Sequence, residues 1–213
     1  MSNSHFAIAA AVVAAVVAAV GFFGPARAEP VGSVVASRGV AALERADERS
    51  PAEAGAAVML NDRATTGEAS RLDLKLGAAT RLRLGANAAL KVDKFVAKLS
   101  ARSTLEEGAV LIDRATGAEK NFELETPYGL LSARGTAFFA GPSRGTFGVF
   151  VQKGVVDVVT QTGSVRLTAG EGVDFAPPRV IVLPGLLDSG PPEQGPVKKW
   201  GAKRIEEALD SVR

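Results

Sequence analysis

Arg134-Gly135-Thr136 is the triplet in this chain best suited to hold an anion. A guanidinium offers a planar fork of N–H donors that matches a carboxylate or phosphate. The glycine beside it permits a tight turn, and the threonine hydroxyl can bond exposed backbone. The same triplet also reads as a bulge in which Arg134 pairs with Glu123 or Glu125 on a neighbouring strand. A second basic group is periodic: Arg71, Lys75, Arg81 and Arg83 occupy alternating positions of two short segments. Between Arg63 and Arg102, basic residues outnumber acidic ones nine to three. Such a face attracts anionic partners, and it also serves as a solvated surface that discourages edge pairing. Trp200 is the only tryptophan; it reads either as an anchor for a partner or as a staple for the C-terminal segment.

Catalytic chemistry finds little support. Glu106 and Glu107 are adjacent, so on a strand they point to opposite faces. Asp157, Glu171 and Asp174 are scattered over late segments, and nothing in their spacing suggests the paired carboxylates of a glycosidase. The chain has no cysteine and one histidine, His5, which precedes an apolar segment. A mature chain without that segment has no thiol nucleophile and no imidazole base. It also has no Cys or His to ligate zinc, haem or copper, and no disulfide to brace it. The expectation is a non-catalytic protein without metal or cofactor. Charge is nearly balanced, at +2 overall, and no long Lys/Arg run exists to track nucleic acid.

The elements that position these groups are strands. Leu72, Leu74 and Leu76 alternate with Arg71, Asp73 and Lys75; Leu82 and Leu84 alternate with Arg81 and Arg83. Period-two alternation gives each strand one buried and one wet face. Residues 147–151 and 155–159 are more continuously apolar, as in central strands covered on both faces or strands closing a barrel. Gly67, Gly77, Gly85, Gly108, Gly117, Gly154 and Gly163 stand where reversals need positive φ. Turn signals every 8–12 residues predict one all-β domain of short antiparallel strands, a sandwich or barrel-like roll, over residues 29–176. The polar stretch 46–57 reads as a long hairpin loop. Residues 1–28 read as a signal peptide: an apolar run from Phe6 to Phe23, then Ala26-Arg27-Ala28. Retained, that run would be an N-terminal membrane anchor; either way the remainder is exported, to the periplasm or beyond. Residues 177–196 hold six prolines and read as a linker. Ile205, Ala208, Leu209 and Val212 form one apolar stripe on a short helix within 197–213, too short to be stable alone.

Several stretches together resemble the FecR family. They are Thr126-Pro127-Tyr128-Gly129, Arg134-Gly135-Thr136, the run from Val149 to Val158 through Lys153-Gly154, and Leu167-Thr168-Ala169-Gly170-Glu171. Upstream, Val31 to Val40, residues 55–74 and Gly108-Ala109-Val110 extend the pattern over roughly residues 31–176. The resemblance implies a periplasmic β-domain that senses or binds by protein–protein contact. In the family's regulators, a transmembrane helix connects such a domain to a cytoplasmic segment that holds a sigma factor. Their outer partner is the signalling domain of a transporter. Only five residues precede the apolar run here, so direct sigma-factor contact is not expected. What remains resembles a stand-alone exported FecR-domain protein with an envelope partner, such as a transporter or a membrane signalling protein. The alternative is a structural protein whose basic strand face holds anionic envelope polymer.

Overall fold

The computed structural model describes residues 29–46, 48–96, 100–115, 121–177, 180–183, 186–189 and 191–213. The leader-like segment 1–28 and the Thr116-Gly117 turn lie outside them. Early strands are β1 (Gly32–Arg38), β2 (Ala41–Arg45), β3 (Glu48–Pro51), β4 (Ala57–Val58), β5 (Arg63–Thr66), β6 (Arg71–Leu76), β7 (Thr80–Leu84), β8 (Ala89–Val96) and β9 (Ser100–Glu107). They are followed by β10 (Val110–Arg114), β11 (Phe122–Thr126), β12 (Gly129–Ala133), β13 (Ala137–Ser143), β14 (Thr146–Lys153), β15 (Val155–Val159), β16 (Ser164–Thr168) and β17 (Glu171–Ala176).

These strands form two facing sheets, an open sandwich and not a closed barrel. The first sheet runs β4-β1-β6-β7-β10-β13-β14-β17, and the second runs β3-β2-β5-β8-β9-β11-β12-β15-β16. The chain crosses between sheets every one or two strands and advances along both in nearly sequential order. Pairings are antiparallel except β9 with β11, which are parallel because β10 makes an excursion to the first sheet between them. Inward side chains form one core. Leu72, Leu74, Leu82, Leu84, Ile112 and Phe138 from the first sheet meet Leu90, Leu105, Phe122, Leu124 and Val158 from the second. Truncating one of these leucines to alanine should cost about 2–5 kcal/mol, to be read from denaturant midpoints.

The stretch 46–57, expected as a loop, supplies an edge strand to each sheet: β3 pairs with β2, and β4 with β1. Its charges and Pro51 are tolerated because an edge has one unpaired side. Gly77, Gly108 and Gly154 take positive φ, whereas Gly67, Gly85 and Gly163 do not. At Gly85 the requirement is proximity: a Cβ there would meet the carbonyl oxygen of Ser211 at 2.5 Å. The apolar run of β14 is covered on both faces. That of β15 is not, since Val155 and Val159 face solvent.

After β17 the chain forms a hairpin of β18 (Val180–Leu183) and β19 (Leu186–Ser189). It then returns to β17 through the two-residue strands β20 (Glu193–Gln194) and β21 (Lys198–Lys199). Helix α1 (Ala202–Asp210) follows. It lies on the outer face of the first sheet, where Ala208 and Val212 pack with Phe139, Phe150 and Ala109. Among the described residues no helix is long and apolar enough to cross a membrane.

Candidate anion-binding surface

The two outer faces carry charge differently. On the second sheet, alternation places opposite charges side by side on adjacent strands, and they pair. Arg63 donates to Glu44 at 2.8 Å and to Glu106 at 2.6 Å. Arg102 holds Glu123 at 2.6 Å, and Arg166 holds Asp157 at 2.6 Å. The hydrogen bond from Arg166 keeps the Asp157 carboxyl below its ordinary pKa. This face neutralises itself. Exposed pairs of this kind contribute little, so Glu123→Gln should change the unfolding free energy by no more than about 1 kcal/mol, measured by denaturant titration.

On the first sheet the outer side chains of β1, β6 and β7 are mostly cations. Arg38 stands opposite Arg71 across β1 and β6, and Lys75 stands opposite Arg81 across β6 and β7. Like charges directly opposed destabilise a sheet. Arg83 is bonded to Asp73 at 3.1 Å. Arg71 is committed to the helix: its Nε donates to the Arg213 carbonyl at 3.1 Å and its Nη2 to the Asp210 carbonyl at 3.3 Å. That places a cation at a helix C-terminus, where the dipole favours it. Arg38, Lys75 and Arg81 have no ion-pair or side-chain hydrogen-bond partner among the described residues. A cleft of about 250 Å³ opens on this face, lined by Arg38, Arg71, Arg83 and Arg213, by the carboxylate of Asp73, and by Ala36 and Ser37. Asp73 pairs with Arg83, and Arg213 pairs with Asp210 at 3.3 Å; Arg38 and Arg71 carry the surplus that an anion can satisfy.

Arg213, just beyond helix α1, forms part of that wall, and a buried cluster fixes the helix in place. The Trp200 ring fits against Gly148 and Gly172; a Cβ on Gly148 would come within 2.7 Å of it. The ring stacks on Phe150 at 5.2 Å between centroids, and the Arg204 guanidinium lies 3.7 Å above its centroid. Arg204 donates to Asp174 through Nη1 at 3.0 Å and also through Nη2. Its Nε donates to Ser143 Oγ at 3.2 Å, and Lys198 reaches Asp174 at 2.8 Å. Burial pushes the Asp174 carboxyl up, but the bonds from Arg204 and Lys198 outweigh it and hold its pKa below the ordinary value. No side chain caps the helix N-terminus, and no acidic residue lies in its first turn. Its stability therefore comes from this docking.

The structure brings Arg71 and Arg83 together in the cleft, with Lys75 and Arg81 on the same face. The Arg134 triplet is elsewhere, between β12 and β13. Arg134 is exposed and unpaired among the described residues. Gly135 has φ of 60°, and Thr136 is buried with its carbonyl accepting the Arg114 N–H at 2.9 Å. Glu123, expected as a partner of Arg134, is taken by Arg102 because the parallel β9 flanks β11. Trp200 is 5 % exposed beneath its own helix. Reading the residues alone missed Arg38 and Arg213, which lie far apart in the chain. Among the described residues no group of acidic or histidine side chains could hold a metal.

Residues 62–157 match the family model described as FecR protein. The fold is similar to two crystal structures of a "putative anti-sigma factor" from Parabacteroides distasonis, with TM-scores of 0.52 and 0.50. Each is 16% identical to this chain and covers 69% of it, while 63% and 64% of those chains are covered in return. The chain thus spans less than two thirds of their length, and at this identity the likeness is one of fold. No curated protein matches the chain.

Proposed function

From the match of residues 62–157 to the FecR family model we propose a non-catalytic envelope module that binds an acidic segment of a protein partner. We read residues 29–176 as the binding domain, 177–196 as the connection and 197–213 as the helix that completes its cleft. The observation that carries the proposal is the contrast between the two outer faces. One pairs its charges, while the other sets Arg38 against Arg71 and Lys75 against Arg81; among the described residues Arg38, Lys75 and Arg81 form no ion pair, and Asp113, beside Arg81 on β10, is the one acidic register neighbour of these three. A face that bears unfavourable like-charge contacts gains stability when an anionic partner supplies the missing charge. The anti-sigma description of its fold neighbours supports a part in signal relay. The leader-like residues 1–28 support a place in the periplasm or outside the cell. Arg134 offers a second, separate contact, and Trp200 contributes by holding α1.

A second reading is favoured by the breadth of the patch: Lys75 and Arg81 lie outside the cleft, as a surface for anionic envelope polymer would require. Arg38→Glu combined with Arg81→Glu tests both readings, with crosslinking and capture from envelope preparations at rising salt. Protein binding predicts one discrete crosslinked partner lost in the double variant. Polymer binding predicts retention on envelope polyanion that elutes with salt and is lost in the same variant. Unchanged binding by both would overturn the assignment of this face.

A further inference from the structure

A row of three polar residues crosses the inner, core-facing side of the first sheet, at the end away from Gly85. Arg114 on β10 is the register partner of Thr80 on β7, and its N–H bonds the Thr136 carbonyl ahead of β13. All three share the parity of Leu82, Ile112 and Phe138, and all three are buried, with Arg114 only 7% exposed. Among the described residues Arg114 Nε and Nη1 have no hydrogen-bond partner, and neither has Thr136 Oγ1. The guanidinium lies over the Phe122 ring, 5.8 Å from its centroid. Burial pushes the Arg114 pKa down, yet an arginine keeps its charge in a protein. A buried cation without an anion is strongly unfavourable, and a buried hydroxyl without a partner adds to that.

The geometry points to an anion site at Arg114 and Thr136, distinct from the outer basic face, that takes one small carboxylate. The sheets of a sandwich pack only about 10 Å apart, and Phe122 already covers one side of the guanidinium. The anion must therefore lie flat in the guanidinium plane, which a carboxylate can do and a tetrahedral oxyanion cannot do as closely. Thr136, just ahead of β13 and bonded through its carbonyl to the Arg114 N–H, brings a second unpartnered donor to this row. Arg134, exposed two residues earlier, adds positive potential at the same end of the sandwich. The carboxylate can come from a free small acid or from a glutamate or aspartate of a partner.

Thermal unfolding of the full chain in sodium formate, against sodium chloride at matched ionic strength, tests the site. The wild type should gain Tm with formate along a one-site curve. Arg114→Met should show no formate dependence. In chloride it should melt above the wild type, because an unpaired buried charge has become an apolar stem. Thr136→Val, nearly isosteric, should stay folded and bind formate about fivefold more weakly, one hydrogen bond having been lost. A glutamate peptide that stabilises at lower concentration than formate, while its glutamine counterpart does not, would assign the carboxylate to a partner; formate alone acting would assign it to a small acid. Equal Tm in formate and chloride would overturn the site. So would an Arg114→Met that melts below the wild type in chloride, since the guanidinium would then have its partner within the chain. Neither result bears on the outer face, whose test uses different residues.

Discussion

Trp200→Ala should lower the free energy of unfolding by about 3–5 kcal/mol, among the largest effects of any single change on this chain. The ring is buried between Phe150 below and Arg204 above, over two glycines whose missing Cβ atoms make its seat. No neighbour can refill that seat, because Gly148 and Gly172 have no side chains to move. The loss should extend to the cleft. Arg71 is positioned by the carbonyls at the end of α1, so loosening the helix frees one wall and weakens anion binding there. Denaturant titration followed by far-UV circular dichroism would check the first effect. Salt-dependent binding would check the second. A stability change below about 0.5 kcal/mol, the ordinary range of a surface substitution, would show that the helix is not docked as described.

Asp174→Ala should cost about 3 kcal/mol, because it strands the Arg204 guanidinium beneath the helix. The effect should depend on pH in a definite sense. The folded Asp174 carboxyl titrates below its ordinary value. Its contribution is therefore fully present above the unfolded carboxylate pKa of about 3.9 and is lost as pH falls through the lower, folded pKa. The gap between wild type and Asp174→Ala should be constant near neutrality and should close in acid. Trp200, as the sole tryptophan, reports the same event by its fluorescence: its emission should shift to the red in acid for the wild type, and already at neutral pH for the variant. A gap that persists unchanged well below the folded pKa would place the stabilisation elsewhere.

Much of this architecture is legible in residue order. The alternation of Leu72, Leu74 and Leu76 with Arg71, Asp73 and Lys75 fixes which side is core and which carries charge, and the cross-strand neighbours Arg81 and Arg83 follow by the same parity. That parity also points Arg114 inward, since it continues Val110 and Ile112; a charged residue on the buried phase of a strand is the signal that was available for it. The partner of Glu123 was not legible. It depends on β9 lying parallel beside β11, and strands separated by an excursion to the other sheet leave no local mark. The cleft was only half legible. Arg71 and Arg83 belong to one hairpin, but Arg213 reaches them from 142 positions beyond Arg71, where only tertiary packing decides. The short strands after β17 are equally hidden, because Glu193–Gln194 and Lys198–Lys199 have no strand composition and pair through backbone groups that β17 leaves open.

The near-sequential order of strands in both sheets has a consequence for assembly. Hairpin pairings such as β6 with β7 and β13 with β14 order only a short loop, while others, such as β1 with β6 and β7 with β10, wait for the strands between them to be laid on the facing sheet. The sandwich can lengthen rung by rung as the polypeptide emerges, much as a zip closes, with early rungs secure before late ones exist. Helix α1 breaks that rule by reaching back to β6 and Gly85 at the start of the stack. It acts as a clasp fastened last, and the four-arginine cleft, which needs Arg38 from the first strand and Arg213 from beyond the helix, comes into being only once the clasp is shut.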